Sequence, residues 1–112
     1  MNISHRILSN VLVIEIKIEL ASSVNIDEFS NILRNYIEEG IKNVVVDLRD
    51  IKHFNSSHIG MLVSGYITLI KGRGELRLAD LSERVSKALK INRLDLVFDI
   101  YPTLDAAIKS YS

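Results

Sequence analysis

A polar stretch at residues 53–60, His-Phe-Asn-Ser-Ser-His-Ile-Gly, holds the hydroxyl, amide and imidazole groups that could carry chemistry. It lies between two apolar runs, which predict a buried strand before it and a buried helix after it. At such a junction, backbone N–H groups and the positive end of the helix dipole point at solvent, which suits an anion. A structural interpretation competes with this one, because Asn55, Ser56 and Ser57 also supply oxygens that cap a helix.

Enzymatic and metal chemistry find little support elsewhere in the chain. There are no cysteines, and His5, His53 and His58 do not have a metal-ligand spacing such as HExxH. The serines beside His58 are too local in sequence to form a catalytic triad, and neither GxxxxGK[ST] nor GxGxxG occurs. The sequence therefore predicts a protein that is not an enzyme and that needs no cofactor or metal.

Length and charge restrict the number of domains and the classes of partner that we expect. The 112 residues predict one domain, residues 1–112, and the hydrophobic fraction of 47% is enough for one core. With 14 basic and 14 acidic residues the net charge is zero, so we expect no nucleic-acid or membrane partner. No apolar run has the length of a membrane span, and the amino terminus lacks the apolar segment of a signal peptide. A cytoplasmic location is the expectation.

The first half of the chain predicts a hairpin, a helix and a central strand. Residues 3–8 and 11–18 are strand candidates joined by a Ser9-Asn10 turn, and Ile14, Ile16 and Ile18 alternate with polar residues. A helix follows from an Asn25 cap to Gly40. Residues 44–48 are apolar without alternation, which is typical of a strand covered on both faces.

The second half predicts three helices and two strands. The helix at 57–71 is apolar nearly all round, so it is either deeply buried or offers its outer side to another protein. Strands are predicted at 75–79 and 94–100. Short helices are predicted at 82–89 and 104–109, with Ser82 and Thr103 as caps.

The order of elements predicts an α/β fold with a mixed, mostly parallel sheet of four to five strands and about four helices. Sites in such sheets lie outside the carboxyl ends of the strands. Asn55, Ser56 and Ser57 follow the carboxyl end of the strand at 44–48. Asp47, in that strand, is predicted to position the following loop by accepting backbone N–H bonds.

Three segments together resemble the STAS domain of bacterial anti-sigma factor antagonists. They are Val-Val-Val-Asp-Leu at 44–48, Phe-Asn-Ser-Ser-His-Ile-Gly at 54–60 and Lys-Gly-Arg-Gly-Glu at 71–75. The family pattern is an apolar strand ending in Asp/Asn-Leu, then Asp-Ser-Ser/Ala-Gly-Leu-Gly, then a glycine-rich turn into a strand. Glu19-Leu20 and the stretch at 82–96 are similar to two further family motifs, so the resemblance covers nearly the whole chain.

The resemblance implies a phosphorylation switch. We expect the protein to be a monomer or a weak dimer. In such antagonists the first serine of the motif, here Ser56, is phosphorylated by an anti-sigma factor that is an ATP-dependent serine kinase. The unphosphorylated antagonist binds the anti-sigma factor and frees sigma, and a phosphatase resets the phosphorylated form. The implied partner-binding residues are Asn55, Ser57, His58, Ile59, Gly60, Ala21, Ser22 and Ser23.

The chain departs from the family pattern at four positions. Asn55 stands where the motif has Asp, His58 where it has Gly, and Ala21 and Val24 replace an acidic residue and a Thr. We expect His58 to be an exposed residue at the start of the helix. The loss of two carboxylates leaves two hypotheses open: an antagonist switched at Ser56, or a non-phosphorylated scaffold that assembles with other STAS domains.

Overall fold

One mixed sheet carries the fold. The structure, a computed structural model, describes residues 2–18 and 26–112. Its elements are β1 (Asn2–Leu8), β2 (Val11–Lys17), α1 (Ile26–Glu38), β3 (Asn43–Asp47), α2 (Ser56–Lys71), β4 (Glu75–Ala79), α3 (Glu83–Ile91), a 3-10 helix (Leu94–Leu96), β5 (Asp99–Tyr101) and α4 (Leu104–Lys109). The sheet order is β1-β2-β3-β4-β5, with β1 antiparallel to β2 and the later neighbours parallel. The predicted α/β fold with a mostly parallel sheet is confirmed.

The opening hairpin forms as its sequence predicts. Ser9 and Asn10 have φ angles of 51° and 64°, the left-handed values that a two-residue hairpin turn requires at both positions. In β2 and just beyond it, the alternate side chains of Ile14, Ile16 and Ile18 lie in the core. This alternation fixes which face of the hairpin is buried, because a slip of one residue would turn all three to the other face.

The sheet separates two apolar clusters. The larger one includes Val44 and Val46 of β3 and lies on the face that α1, α2 and α3 cover. The smaller one includes Val45 and lies against Ala107 of α4 on the opposite face. All three valines are at most 1% exposed. The prediction that this strand is covered on both faces is therefore confirmed.

Helix ends follow local sequence signals. Gly40, just beyond α1, has a φ of +89°, a conformation that a side chain would strain. The Ser82 hydroxyl accepts the Val85 N–H at 3.3 Å, and the Thr103 hydroxyl accepts the Ala106 N–H at 3.1 Å, so both are caps as predicted. The predicted Asn25 cap lies outside the described residues.

The strand predicted at 94–100 is wrong in its first part. The chain turns through the 3-10 helix there, and the N–H groups of Val97 and Phe98 donate to the Leu94 carbonyl at 3.0 and 2.9 Å. The turn places the Phe98 ring edge-on against Tyr66, with 5.4 Å between centroids. Phe98 is only 3% exposed. Burial of this ring outweighs a longer pairing with β4, so β5 keeps three residues.

A partly buried polar contact holds the carboxyl-terminal segment against the sheet. The Arg77 guanidinium, on β4, lies 3.8 Å from the centroid of the Tyr111 ring. The Tyr111 hydroxyl donates to the carbonyls of Val44 at 2.7 Å and Glu75 at 3.1 Å. Burial raises the pKa of Tyr111, so the hydroxyl keeps the proton that it donates.

Replacement of Tyr111 by Phe is expected to lower the free energy of unfolding by about 1 kcal/mol, because the change leaves the ring and removes the donated hydrogen bonds. Tyr101→Phe is the matched control. Its ring also faces Arg77, at 5.8 Å, and its hydroxyl makes no hydrogen bond with a described residue. Urea denaturation of both variants checks this, and equal losses would contradict the role of the Tyr111 hydroxyl.

Candidate functional site

The loop before α2 is fastened to the end of the sheet. The Ile18 N–H donates to the Asp50 carbonyl at 3.0 Å, and the Lys52 N–H donates to the Ile18 carbonyl at 2.8 Å. Ile51 pairs with Ile18 in an isolated parallel bridge and is 5% exposed. The polar stretch at 53–60 therefore starts from a fixed point beyond the carboxyl ends of β2 and β3.

Asp47 helps to shape the start of this loop. Its side chain is 3% exposed, and one carboxylate oxygen, Oδ1, accepts the Arg49 N–H at 3.0 Å. Burial raises the pKa of Asp47, and the hydrogen bond and the charge of Arg49 oppose that rise. The prediction that Asp47 accepts a backbone N–H bond is confirmed.

Asn55 is the N-cap of α2. Its backbone is extended, and its side-chain oxygen accepts the N–H groups of Ser57 at 3.0 Å and His58 at 3.3 Å. The helix begins at Ser56, one residue before the predicted start. The structural interpretation of the Asn-Ser-Ser sequence therefore holds for Asn55, and it leaves the two serine side chains free for another role.

His58 is buried, and the expectation that it is an exposed residue is wrong. Its side chain is 0% exposed, and its ring stacks on Phe54 with 5.9 Å between centroids and an interplanar angle of 16°. Its Nδ1 accepts the Asn55 N–H at 3.0 Å, which completes a reciprocal capping box. Its Nε2 is buried and has no hydrogen-bond partner among the described residues. Burial, aided by His53, lowers the pKa of His58.

The sequence reasoning missed this pairing of Asn55 with His58. The spacing of the two residues could have indicated it, because a capping box places a side-chain acceptor three residues after the N-cap. The acceptor is usually Glu or Gln, and an imidazole nitrogen without its proton fills the same role here.

The two serines of the motif face solvent. Ser56 and Ser57 are exposed, as are Asn55 and Gly60, and Ile59 is half-buried. The Ser56 hydroxyl makes no hydrogen bond with a described residue, and the first turn of α2 has no acidic side chain. These five residues form one accessible surface at the amino end of α2. The other predicted partner-binding residues, Ala21, Ser22 and Ser23, lie outside the described residues.

An open groove begins one turn farther along α2. It lies between α1 and α2, has a volume of about 790 Å³, and is lined by Gly60, Val63 and Ile67 of α2 and Ile37 of α1, among others. Ile67 is 46% exposed. The inner side of this apolar helix is therefore core, and part of its outer side is open.

Two further features are absent from the described ranges, 2–18 and 26–112. No group of three or more His, Asp or Glu side chains there could hold a metal ion. None of the helices there is long and apolar enough to cross a membrane.

Comparison with known families decides the identity of the chain. The family model described as the STAS domain matches residues 2–107. This chain belongs to the STAS family. Ser56, which the sequence analysis matched to the first serine of the family motif, is exposed and is the first residue of α2.

Three solved structures of other proteins have the same fold. An anti-sigma factor antagonist from Mycobacterium paratuberculosis is 19% identical with a TM-score of 0.78, and the match covers 97% of this chain and 92% of that one. The phosphorylated form of the Bacillus cell fate determinant SpoIIAA is 16% identical with a TM-score of 0.74, covering 99% and 100%. A Ser-to-Glu variant of RsbS from Moorella thermoacetica is 14% identical with a TM-score of 0.79, covering 98% and 94%.

Proposed function

We propose that this STAS domain is an anti-sigma factor antagonist. It binds a serine-kinase anti-sigma factor through the surface around Ser56, and phosphorylation of Ser56 by that kinase ends the complex. A phosphatase restores the binding form. In this cycle the protein is a substrate and a binding partner and not a catalyst, and its ATP-dependent partner is expected in the cytoplasm.

The observation that carries the proposal is the accessible Ser56 hydroxyl at the first residue of α2. It stands where the family motif has its phosphorylated serine, and no hydrogen bond to a described residue has to break before a kinase reaches it. The fold likeness adds support, because SpoIIAA is an anti-sigma factor antagonist with phosphorylated and unphosphorylated forms.

Position explains how one phosphate could act as a switch. A phosphate group adds about −1.5 to −2 charges at neutral pH. Its own domain tolerates it at this place, because the helix dipole and the first N–H groups of α2 favour an anion. In a partner interface the same charge must lose its water, which costs free energy. Binding therefore changes although the fold does not.

The neutral cap is compatible with this switch. Asn55 makes through its amide oxygen the hydrogen bonds to Ser57 and His58 that an aspartate could make. It does so without a negative charge beside Ser56, so the step from hydroxyl to phosphate is the main change of charge at the surface. We propose that the substitution for aspartate keeps the shape of the motif and lowers the negative charge around the acceptor.

The direct test is phosphorylation by kinase-type anti-sigma factors from the same host. Incubation with Mg-ATP, followed by intact mass measurement and peptide mapping, is expected to show one added phosphate on Ser56. Ser56→Ala should lose it, and Ser57→Ala, the matched control, should keep it. A phosphate on Ser57 instead, or none with any such kinase despite a stable complex, would contradict the switch.

A second candidate function is assembly without a phosphate cycle, and one surface favours it. Four apolar side chains near the β5 edge of the sheet are exposed: Ile91 (82%), Leu96 (81%), Val97 (45%) and Ile100 (39%). Copies of a STAS domain could associate through them. Size-exclusion chromatography with light scattering distinguishes the two, because a stable oligomer that Leu96→Lys dissociates would favour the scaffold, and a monomer would favour the antagonist.

A further inference from the structure

The turn that carries Ser56 is closed by two side chains that cap each other. Asn55 Oδ1 accepts the N–H groups of Ser57 and His58, and the Asn55 N–H donates to His58 Nδ1 at 3.0 Å. Ser56 lies inside this ring of hydrogen bonds, between the two residues that form it. We call the Asn55–His58 pair the clasp. Ser56 is the first residue of the helix that the clasp caps.

The clasp requires a neutral imidazole. Because Nδ1 accepts a hydrogen bond, the single proton of the ring must be on Nε2. A protonated imidazole donates from both nitrogens, so Nδ1–H would then face the Asn55 N–H, donor against donor. Nε2 is buried and has no partner among the described residues that could share the added charge. Protonation and the clasp therefore exclude each other.

The surroundings of the ring also oppose protonation. Burial is the largest cause of the lowered pKa of His58, and the charge of His53 and that of the α-amino group act in the same direction. The positive end of the α2 dipole adds to them. Asp47 lies at the end of β3 and interacts with Arg49, Asp80 and Glu15. It is not among the groups that shift the pKa of His58.

The sign of the pH effect follows. The pKa of His58 in the folded chain lies below its ordinary value of 6.5, so between these two values the unfolded chain binds more protons. The stabilisation of the clasp is present above pH 6.5 and is lost as the pH falls from there towards the pKa of the folded chain. The loss therefore begins near the ordinary pKa of His, above the values of about 4 at which free Asp and Glu carboxyl groups titrate.

We propose that His58 is a pH-sensitive positioning residue for Ser56. In its neutral form it holds the turn at 55–58 closed and presents the Ser56 hydroxyl in one orientation, and in its protonated form it releases the turn. The effect on kinase and partner rests on the proposed function, whereas the clasp and its release do not.

Amide exchange measured by NMR on the free protein tests the clasp. Between pH 8 and pH 5, the protection factor of the Asn55 amide is expected to fall at least about tenfold, the loss of one hydrogen bond to a titrating group. His58→Gln should keep its protection at all these pH values, because a Gln oxygen accepts the same N–H and does not titrate. His53→Gln, the matched control, should still lose Asn55 protection on acidification, with the fall moved to higher pH because a charge that lowers the pKa of His58 is gone.

Two results would overturn the clasp. One is an Asn55 protection factor in the parent protein that does not change while His58 titrates. The other, which does not depend on any variant folding, is an imidazole ¹⁵N spectrum at pH 8 that shows the proton on Nδ1. His58→Ala, which has no acceptor, should show low Asn55 protection throughout the range.

Phosphorylation rates separate the two proposals. With an anti-sigma kinase and Mg-ATP, the parent protein is expected to lose Ser56 phosphorylation on acidification more steeply than His58→Gln, in which the turn stays closed. Equal pH profiles for the two would overturn the positioning role. If Ser56 is never phosphorylated but Asn55 protection still follows His58, the proposed function fails and the clasp stands.

Discussion

Ser56→Asp is expected to weaken binding of a kinase-type anti-sigma factor by at least about tenfold, which corresponds to about 1.4 kcal/mol. The carboxylate places a permanent negative charge where the exposed hydroxyl now stands, and a partner surface adapted to a neutral group must desolvate it. The folded domain itself should be nearly unchanged, because the helix dipole favours an acidic side chain in the first turn. Titration calorimetry with the purified partner measures the loss.

Two further variants show whether position or charge causes that loss. Ser56→Ala removes the hydroxyl without adding charge and should retain binding. Ser9→Asp places the same charge at an exposed position in the turn between β1 and β2, at the opposite end of the sheet, where Asp tolerates the left-handed backbone, and should also bind normally. Unchanged affinity in Ser56→Asp, or an equal loss in Ser9→Asp, would mean that the surface around Ser56 does not control the interaction.

Gly65→Ala is expected to lower the free energy of unfolding by about 1–3 kcal/mol, the usual cost of overpacking a close contact. A Cβ atom at Gly65 would overlap the Phe29 ring and lie 3.1 Å from Leu33 Cδ1. Both neighbours belong to α1 and are fully buried, so neither can move without disturbing the core. Gly65 is therefore the position at which α2 comes closest to the Phe29 ring of α1.

Gly60→Ala is the matched control on the same helix. No atom lies within 4 Å of a Cβ built at Gly60. The change is therefore expected to be neutral or to stabilise the domain by up to about 1 kcal/mol, through the higher helix propensity of alanine. Urea denaturation of both variants gives the comparison. Similar stabilities would show that the contact between α1 and α2 adjusts more readily than its packing indicates.

Most of the fold can be predicted from local sequence motifs and from the periodicity of apolar residues. The Ser9-Asn10 turn, the alternation of Ile14, Ile16 and Ile18, and the caps at Ser82 and Thr103 each depend on a few neighbouring residues, so they can be read from the chain directly. Their order then restricts the sheet to a mostly parallel one. The position of Ser56 followed from the same reasoning, because the loop that leaves the carboxyl end of a central strand leads to it.

The features that could not be predicted from the sequence depend on contacts between side chains that are distant in the sequence or closely packed in the fold. Residues 94–98 are apolar enough for a strand, and the contact of Phe98 with Tyr66, 32 positions earlier, favours a turn. A histidine at the start of a helix is expected to be exposed. The burial of His58 depends on the ring of Phe54 and the N–H of Asn55. Arg77 lies beside Tyr111 because α4 packs back on the sheet, which no local pattern indicates.

The order of strands in the sheet has a consequence for synthesis. Each strand pairs with the one made just before it, so the growing sheet can add strands as they leave the ribosome. The face occupied by Val11, Val13 and Val45 is the exception, since it is covered by α4, and the Tyr111 hydroxyl bonds back across 67 positions to Val44. A nascent chain halted before α4 is therefore expected to have a formed sheet with one exposed apolar face. We expect chaperones to bind that face until the last helix is made.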